Sequence, residues 1–472
     1  MKSKKKIYDF IIIGSGPAGS ILASNLTKKN YKIAIIDRAT NTQNKSNKDQ
    51  FIYSPYVNNC PNYYSPIFSN QLGGNSALWN NKIFLISKDE FFSSKWPFSY
   101  KELFKFSKEL AVNLRISHDD ICKIEKQGKF KFSNSIREKS LGNLFYTLKI
   151  NKNKNIKVYD HSSPTKIIFD KSKKISKSLI IRNIKKNENF EIHLKKGLIF
   201  CAGGIGNPNL IINLFKKHHG LVGKNLCDHS HINISSIKID DAKRNFKFAK
   251  YFIINSKNKK EQNLFIKKNS YFTGVQLDYI ADPSLILRRL YIRTRSLISL
   301  KILLFMSKYN KLLTHLFLRI AYIAGIKGKY SYEFFFSQKP NVKNCVDLDK
   351  KIKDEFGLFK SNIIWNINDL EMKKYQKIIN YLFDKKGGLY SNKSYNQFKK
   401  KRIFVGLHPS CTTISSSDKK KSCVDKNLRL KGYNNTFICG SSIFSGNGFT
   451  NPTWTIMTLS LRLAKYLSKI YK

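Results

Sequence analysis

Three observations on this sequence predict an α/β fold. Ile11-Ile12-Ile13 runs into Gly14-Ser15-Gly16-Pro17-Ala18-Gly19, an apolar strand followed by a glycine turn and the start of a helix. A second apolar strand, Lys32-Ile33-Ala34-Ile35-Ile36, comes after that helix and ends on Asp37. Residues 232–280 alternate apolar and polar positions, the period of antiparallel sheet. The first two make a βαβ unit and the third a sheet of another kind. The expected architecture is a Rossmann-like dinucleotide domain, discontinuous in sequence, with an α+β domain of antiparallel sheet and helices.

The remaining elements follow in chain order. Residues 40–70 are rich in Asn, Ser, Tyr and Pro and read as loops. Gln71-Leu72-Gly73-Gly74-Asn75-Ser76 is a second glycine turn. Residues 99–127 carry helical periodicity. Residues 128–155, rich in Lys, Asn and Ser, are assigned to the surface. Short strands are expected at 156–160, 164–169, 178–183 and 189–193. Leu198-Ile199-Phe200-Cys201 forms another buried strand, ending in Ala202-Gly203-Gly204. A strand at 331–337 and a helix at 368–384 complete the pattern. Residues 284–324 hold Arg288, Arg289, Arg293, Arg295 and Arg319, five of the chain's 13 Arg, among Leu and Ile at helical spacing. They read either as ordinary amphipathic helices or as a basic face for anionic lipid or a redox partner.

Composition sets the class. A chain of 472 residues, 41% hydrophobic and 13% aromatic, is globular and buries a large core. The net charge of +55 is extreme, but Lys is spread along the whole chain beside abundant Asn, Ile, Phe and Tyr. This reads as a bias toward A- and T-rich codons. A nucleic-acid surface would be clustered and richer in Arg, whose fork fits phosphate and bases, so no nucleic acid is expected. The cysteines, Cys60, Cys122, Cys201, Cys227, Cys345, Cys411, Cys423 and Cys439, include no C-x-x-C pair. Several lie in apolar runs, as buried free thiols of a reducing compartment do. Met1-Lys2-Ser3-Lys4-Lys5-Lys6 resembles a signal-peptide flank, but the apolar run after it is short and ends in Gly-Ser-Gly. No charge-free apolar run is long enough to cross a bilayer, so no spanning helix is expected. The expected location is cytoplasmic, with contact at the inner membrane face, through 284–324, left open.

Gly14 permits the tight turn, Gly16 lets a pyrophosphate approach the backbone, and Gly19 lets the helix pack close to the strand. The helix N-terminus then faces the phosphates, and Asp37 can accept hydrogen bonds from a ribose diol. His408 is a candidate general base, since histidine exchanges protons near neutral pH. Alone, a His before a Pro also reads as an ordinary polar residue. Asn451-Pro452 reads equally as a helix start, with Asn as N-cap and Pro at the first helical position. His161, His218, His219, His229, His231 and His315 are not spaced as a metal cage, and no metal is expected. His229 and His231 are assigned to packing around Asp228.

Taken in order, these segments resemble the glucose-methanol-choline (GMC) oxidoreductases. The likeness runs from Asp9 to Gly19 and through Leu72-Gly73-Gly74-Asn75-Ser76-Ala77-Leu78-Trp79, Trp96-Pro97 with Tyr100, and Cys201 to Pro208. It continues through Val222-Gly223-Lys224-Asn225-Leu226-Cys227-Asp228-His229, Gln338 with Pro340-Asn341, and His408 to Thr413. Val424-Asp425 with Arg429, Gly440-Ser441-Ser442 and Asn451 to Leu463 complete it. The nearest branch is the bacterial sugar dehydrogenases and pyranose oxidases.

The resemblance implies FAD, held at Gly14, Gly16, Pro17, Ala18, Gly19 and Asp37. It implies that Gly73, Gly74, Asn75, Ser76 and Trp79 lie along the flavin and that Ala202 and Gly203 approach it from the other side. Gly440 and Ser441 would contact the ribityl and pyrophosphate region, and Asn451, Pro452 and Thr453 complete the cofactor set. It places His408 and Asn451 at the catalytic pair. The substrate would be a sugar, polyol or other alcohol, and electrons would pass on to oxygen, a quinone or a redox protein. Some relatives tether the flavin through a histidine at the position of Leu78, so the FAD is expected to be non-covalent. The FAD domain would comprise 1–90, 155–235 and 400–472, and the substrate domain 91–154 and 236–399.

Three departures stand out. Cys411 replaces a usual Gly, Asn80-Asn81 a usual Gly-Gly, and Lys82 a usual Arg. They leave two rival readings: a flavoprotein without alcohol chemistry, or a basic membrane-associated interaction protein.

Overall fold

The computed structural model describes residues 5–39, 57–59, 69, 71–79, 81–122, 124–127, 130–238, 260–268, 271–279, 329–383, 404–405, 408–448 and 450–472. The basic stretch 284–324 lies outside these residues, as does most of 40–70.

The first sheet has seven strands: β1 (Ile7–Ile13), β2 (Ile33–Ile36), β7 (Ile156–Tyr159), β8 (Ser162–Phe169), β9 (Ser176–Asn183), β10 (Glu188–Phe200) and β18 (Thr436–Ile438). They run in the order β7-β2-β1-β10-β9-β8, with β18 also paired to β10. The strands β7, β2, β1, β10 and β18 run parallel to one another. The expected strands at 189–193 and 198–201 are one strand of 13 residues. Its first half pairs antiparallel with β9, and its second half pairs parallel with β1 and β18. Parallel strands covered on both faces need continuous apolar sequence. Phe10, Ile11, Ile12, Ile33, Ile35, Leu198, Ile199 and Phe200 are all fully buried.

Helix α1 (Pro17–Thr27) follows β1, and α4 (Gly203–Leu214) follows β10. Between them in sequence, α2 (Lys88–Ser93) opens with a complete capping box between Ser87 and Glu90, and α3 (Tyr100–Leu114) is capped by Ser99. The last helix, α6 (Thr453–Ile470), packs against both α1 and α3. Arg462 Nε meets Glu102 at 2.7 Å, and the Trp454 indole donates to Ser107 Oγ at 2.8 Å. Thus α3, from the stretch that the sequence division assigns to the substrate domain, lies along a helix of the FAD-binding stretch.

The second sheet is antiparallel and has eight strands: β4 (Lys82–Ile83), β5 (Ile124–Gln127), β6 (Phe130–Arg137), β11 (Ser230–Lys238), β12 (Lys260–Lys268), β13 (Tyr271–Tyr279), β14 (Lys329–Phe336) and β17 (Phe404–Val405). Its order is β17-β11-β14-β13-β12-β6-β4, with β5 on β6. The antiparallel expectation for 232–280 holds for β11, β12 and β13. A third sheet joins β3 (Val57–Asn59), β15 (Cys345–Lys353) and β16 (Phe359–Ile364), and α5 (Asp369–Phe383) follows it.

Two expectations are corrected. Helical periodicity over 99–127 stops at Cys122, and residues 124–127 are strand. The stretch 128–155 is not a surface tract: β6 lies inside the second sheet, and Leu141, Leu144, Phe145 and Ile150 are fully or nearly fully buried. Between 141 and 150 the buried apolar residues are interspersed with polar ones, which bulk composition hides.

Candidate active site

The carboxyl ends of β1, β10 and β18 meet at one edge of the first sheet, where open α/β sheets bind ligands. Gly14 adopts φ +103°, and a Cβ there would lie 2.6 Å from Cys201 O. Only glycine turns the chain so close to the neighbouring strand. A Cβ on Gly19 would lie 2.0 Å from Gly14 O, so α1 sits hard against the turn. Pro17 occupies the first turn of that helix and Ala18 is buried. Asp37 closes the unit. Its Oδ2 accepts from Ser15 N at 2.6 Å and its Oδ1 from Ala39 N at 2.8 Å. Burial pushes this carboxyl above its usual range, and the Ser15 and Ala39 bonds oppose that.

The second glycine turn docks on the first. Gly73 N donates to Ser15 Oγ at 2.8 Å, and a Cβ on Gly74 would lie 3.1 Å from Gly16 Cα. Ser76 is buried and its hydroxyl donates to Gly73 O at 2.6 Å, while Asn75 Oδ1 accepts from Ser69 N. Trp79 is half-buried with its indole donating to Gly142 O at 2.7 Å, and Leu78 ends this turn.

From the other side, Ala202 caps α4 and Gly203 stands beside Gly440, whose added Cβ would lie 3.8 Å from Gly203 Cα. A Cβ on Gly203 itself would meet nothing within 4 Å, and one on Gly16 only Gly73 O at 4.0 Å. Open space over two glycines, between a helix N-terminus and the Asp37 carboxylate, fits a dinucleotide.

The second half of the site is a laced pair of segments. Cys411 N, Thr413 N and Ser415 N donate to Ser441 O, Ser442 O and Ile443 O at 2.8–3.1 Å. Ser441 Oγ donates to Pro409 O at 2.7 Å. This lacing puts His408 at the head of one segment while the other leads on to Asn451. Asn451 is half-buried and lies outside α6; the helix is capped at Pro452 with no side-chain bond, and Thr453 is its first residue. The N-cap alternative for Asn451 therefore falls.

His408 is anchored by its backbone. Its N–H reaches Asp228 Oδ1 at 2.9 Å and Oδ2 at 3.1 Å, and Ser410 and Cys227 exchange backbone bonds beside it. Its ring Nδ1 lies 3.2 Å from His229 Nδ1, the two rings edge to face with centroids 4.9 Å apart. His229 Nε2 lies 3.2 Å from Asn447 O. Gln338 braces this region: its Oε1 accepts from Asp228 N and Trp365 Nε1, and its N–H donates to Asn447 Oδ1. Burial pushes His229 down to about 3, with His231 adding to the shift. Sequence reasoning gave His229 a packing role only. The adjacency Asp228-His229 was the available signal, since one residue anchors His408's backbone and the next meets its ring.

The departures at 81 and 411 have a shared geometry. Asn81 has φ +53° and Cys411 φ +69°, the left-handed region that glycine favours. Asn tolerates that region; for Cys it costs about 1–2 kcal/mol of strain. The fully buried Cys411 thiol lies 3.5 Å from Ser410 Oγ. The seven described cysteines are all free, six of them buried. Among the described residues no three His, Cys, Asp or Glu gather as metal ligands, and no helix is long and apolar enough to cross a membrane.

Two family models described as GMC oxidoreductase match residues 93–231 and 341–460, together more than half of the chain. The chain belongs to the GMC oxidoreductase family. It is accordingly an FAD-dependent oxidoreductase. The fold is similar to that of a formate oxidase from Aspergillus oryzae RIB40, from a study of a mutation's effect on FAD modification. The TM-score is 0.65 at 13% identity, with 99% of each chain covered, a likeness of fold. No curated protein matches the sequence.

Proposed function

We propose that this protein oxidises a CH–OH group of a sugar, polyol or other alcohol to a ketone or aldehyde, in the manner of the sugar dehydrogenase and pyranose oxidase branch. The observation that carries the reading is the lacing of the His408 segment to the stretch that runs from Gly440 toward Asn451, at the cofactor edge of the parallel sheet. Bound FAD supplies a two-electron acceptor for the carbinol hydrogen and its electron pair. His408 takes the hydroxyl proton, and Asn451 hydrogen-bonds the substrate oxygen and fixes its angle. The alcohol loses one hydride and one proton, so the oxidation balances, and the electrons pass on to oxygen, a quinone or a redox protein. Residues 1–90, 155–235 and 400–472 hold the cofactor in this reading, with 91–154 and 236–399 covering its reactive face. Leu78 offers no nucleophile to the flavin, which supports a non-covalent FAD. An anaerobic screen of sugars, polyols and simple alcohols tests the reading. Flavin absorbance should bleach with a member of these classes, and a flavin that none of them reduces would refute it.

A further inference from the structure

The His408–His229 contact carries an inference that rests on His408 acting as the base and deepens that reading. A carbonyl oxygen only accepts hydrogen bonds. The 3.2 Å bond between His229 Nε2 and Asn447 O therefore requires the hydrogen to sit on His229 Nε2. A neutral imidazole has one N–H, so His229 Nδ1 carries a lone pair. His408 Nδ1, 3.2 Å away, must then donate to it. With its hydrogen on Nδ1, a neutral His408 carries its lone pair, the basic site of the ring, on Nε2. We propose that His229 is a positioning residue: anchored on Asn447 O, it fixes the tautomer of His408 so that Nε2 is the basic atom, and it accepts a charge-assisted hydrogen bond when His408 is protonated.

The surroundings agree. His229 is 2% exposed, and burial disfavours a charged ring there, which excludes the state with hydrogen on both nitrogens. Among the described residues, the charged and titratable groups around the pair include Asp228, His231 and Glu371. Asp228 accepts the backbone N–H groups of His408 and His229. His231 stands against Phe335, ring centroids 4.3 Å apart. Glu371 lies behind Gln338, its Oε1 accepting from Lys339 N at 3.3 Å. In catalytic triads an acidic group holds the histidine tautomer; here a neutral histidine, itself oriented by a backbone carbonyl, would do so.

Two variants of the FAD-loaded protein separate positioning from packing. His229→Asn keeps an acceptor where Nδ1 stands and is the smaller side chain. His229→Gln is closer to histidine in reach and can still donate to Asn447 O, but it offers no acceptor at the Nδ1 place. The relay predicts that anaerobic flavin reduction by an alcohol stays within about ten-fold of the parent in His229→Asn and falls about 10²-fold in His229→Gln. The pH midpoint of reduction should also drop in His229→Gln, because the imidazolium loses its acceptor. The reverse ranking would mean packing alone and would overturn the proposal. A readout independent of substrate is the ¹⁵N signal of the His408 ring, assigned with His408→Gln. The parent should show hydrogen on Nδ1, and His229→Gln should shift it toward Nε2. An unchanged tautomer overturns the positioning role. A shifted tautomer in a protein that reduces its flavin with no alcohol would sustain the positioning role and refute the alcohol reading.

Discussion

Holding His229 neutral in the core has a consequence that acid should expose. A histidine whose pKa is lowered on folding destabilises the fold as pH falls. Below about 6.5 the unfolded chain binds a proton that the folded chain refuses, and the loss grows until the pH reaches the folded value. For His229 that value is about 3 and the ring is 2% exposed, so little solvent screening relieves it. Moving from pH 8 to pH 5 crosses about 1.5 pH units of this window, which at about 1.4 kcal/mol per unit is about 2 kcal/mol. His229→Gln cannot titrate and keeps a donor toward Asn447 O. Guanidinium unfolding of both FAD-loaded proteins at pH 8 and pH 5 gives four stabilities. The carboxylates and the histidines other than His408 contribute equally to both proteins and cancel in the double difference, while His408, which holds its proton less readily in the variant, subtracts from it. The parent should lose more stability than the variant between these pH values, by up to the amount worked out above. Parallel losses in the two proteins would show that His229 is not held neutral, and the argument for its tautomer would fall with it.

Four other outcomes follow. His408→Ala should keep the fold and the FAD yet lose flavin reduction by about 10²–10⁴-fold, and the parental rise in rate across the range where histidine gives up its proton should vanish; stopped-flow absorbance measures both. Gly203→Ala should fold, since its Cβ meets no protein atom within 4 Å, but the methyl would stand in the cofactor's space at φ +76°; dialysis should strip its yellow colour while far-UV circular dichroism stays parental. Cys411→Gly should be more stable than Cys411→Ala by about 1 kcal/mol, reversing the usual order, because both lose the thiol but only glycine relieves the left-handed backbone. Acid precipitation should leave the flavin in the supernatant, and flavin that stays with the pellet would show a covalent link at a residue other than Leu78.

Much of the candidate cofactor cradle's local geometry was legible because it is written in local rules. The Gly14–Gly19 spacing, the apolar runs of β1 and β2 and the acid at 37 each answer to a single steric or hydrogen-bonding demand. The strands β8, β9 and β14 and the helix α5 were legible by periodicity alone. The tract 124–150 was not. Phe130-Lys131-Phe132-Ser133 alternates as a strand should, yet the surrounding Lys and Asn dominate any average over the window. The turn at Gly73 was visible, but its dependence on Asn143, whose amide donates to Leu72 O at 2.8 Å, joins residues 71 apart. The role of His229 was hidden for the same reason. Its partners, His408 and Asn447, lie 179 and 218 residues away, and only the folded chain sets two rings 3.2 Å apart.

The single long strand β10 gives the protein a particular history on the ribosome. It pairs early with β9 and β1, which precede it, but its final partner β18 is made only after the whole of the second and third sheets. Gly440, which stands beside Gly203 at the candidate cofactor cradle, follows shortly beyond that last strand. During synthesis the nascent chain therefore carries a half-built pocket, with the parallel edge of β10 unpaired beside Leu198-Ile199-Phe200. Flavin should be captured only after translation passes Gly440, and supply of FAD at that moment should govern how much chain reaches the finished state and how much is lost through its open edge.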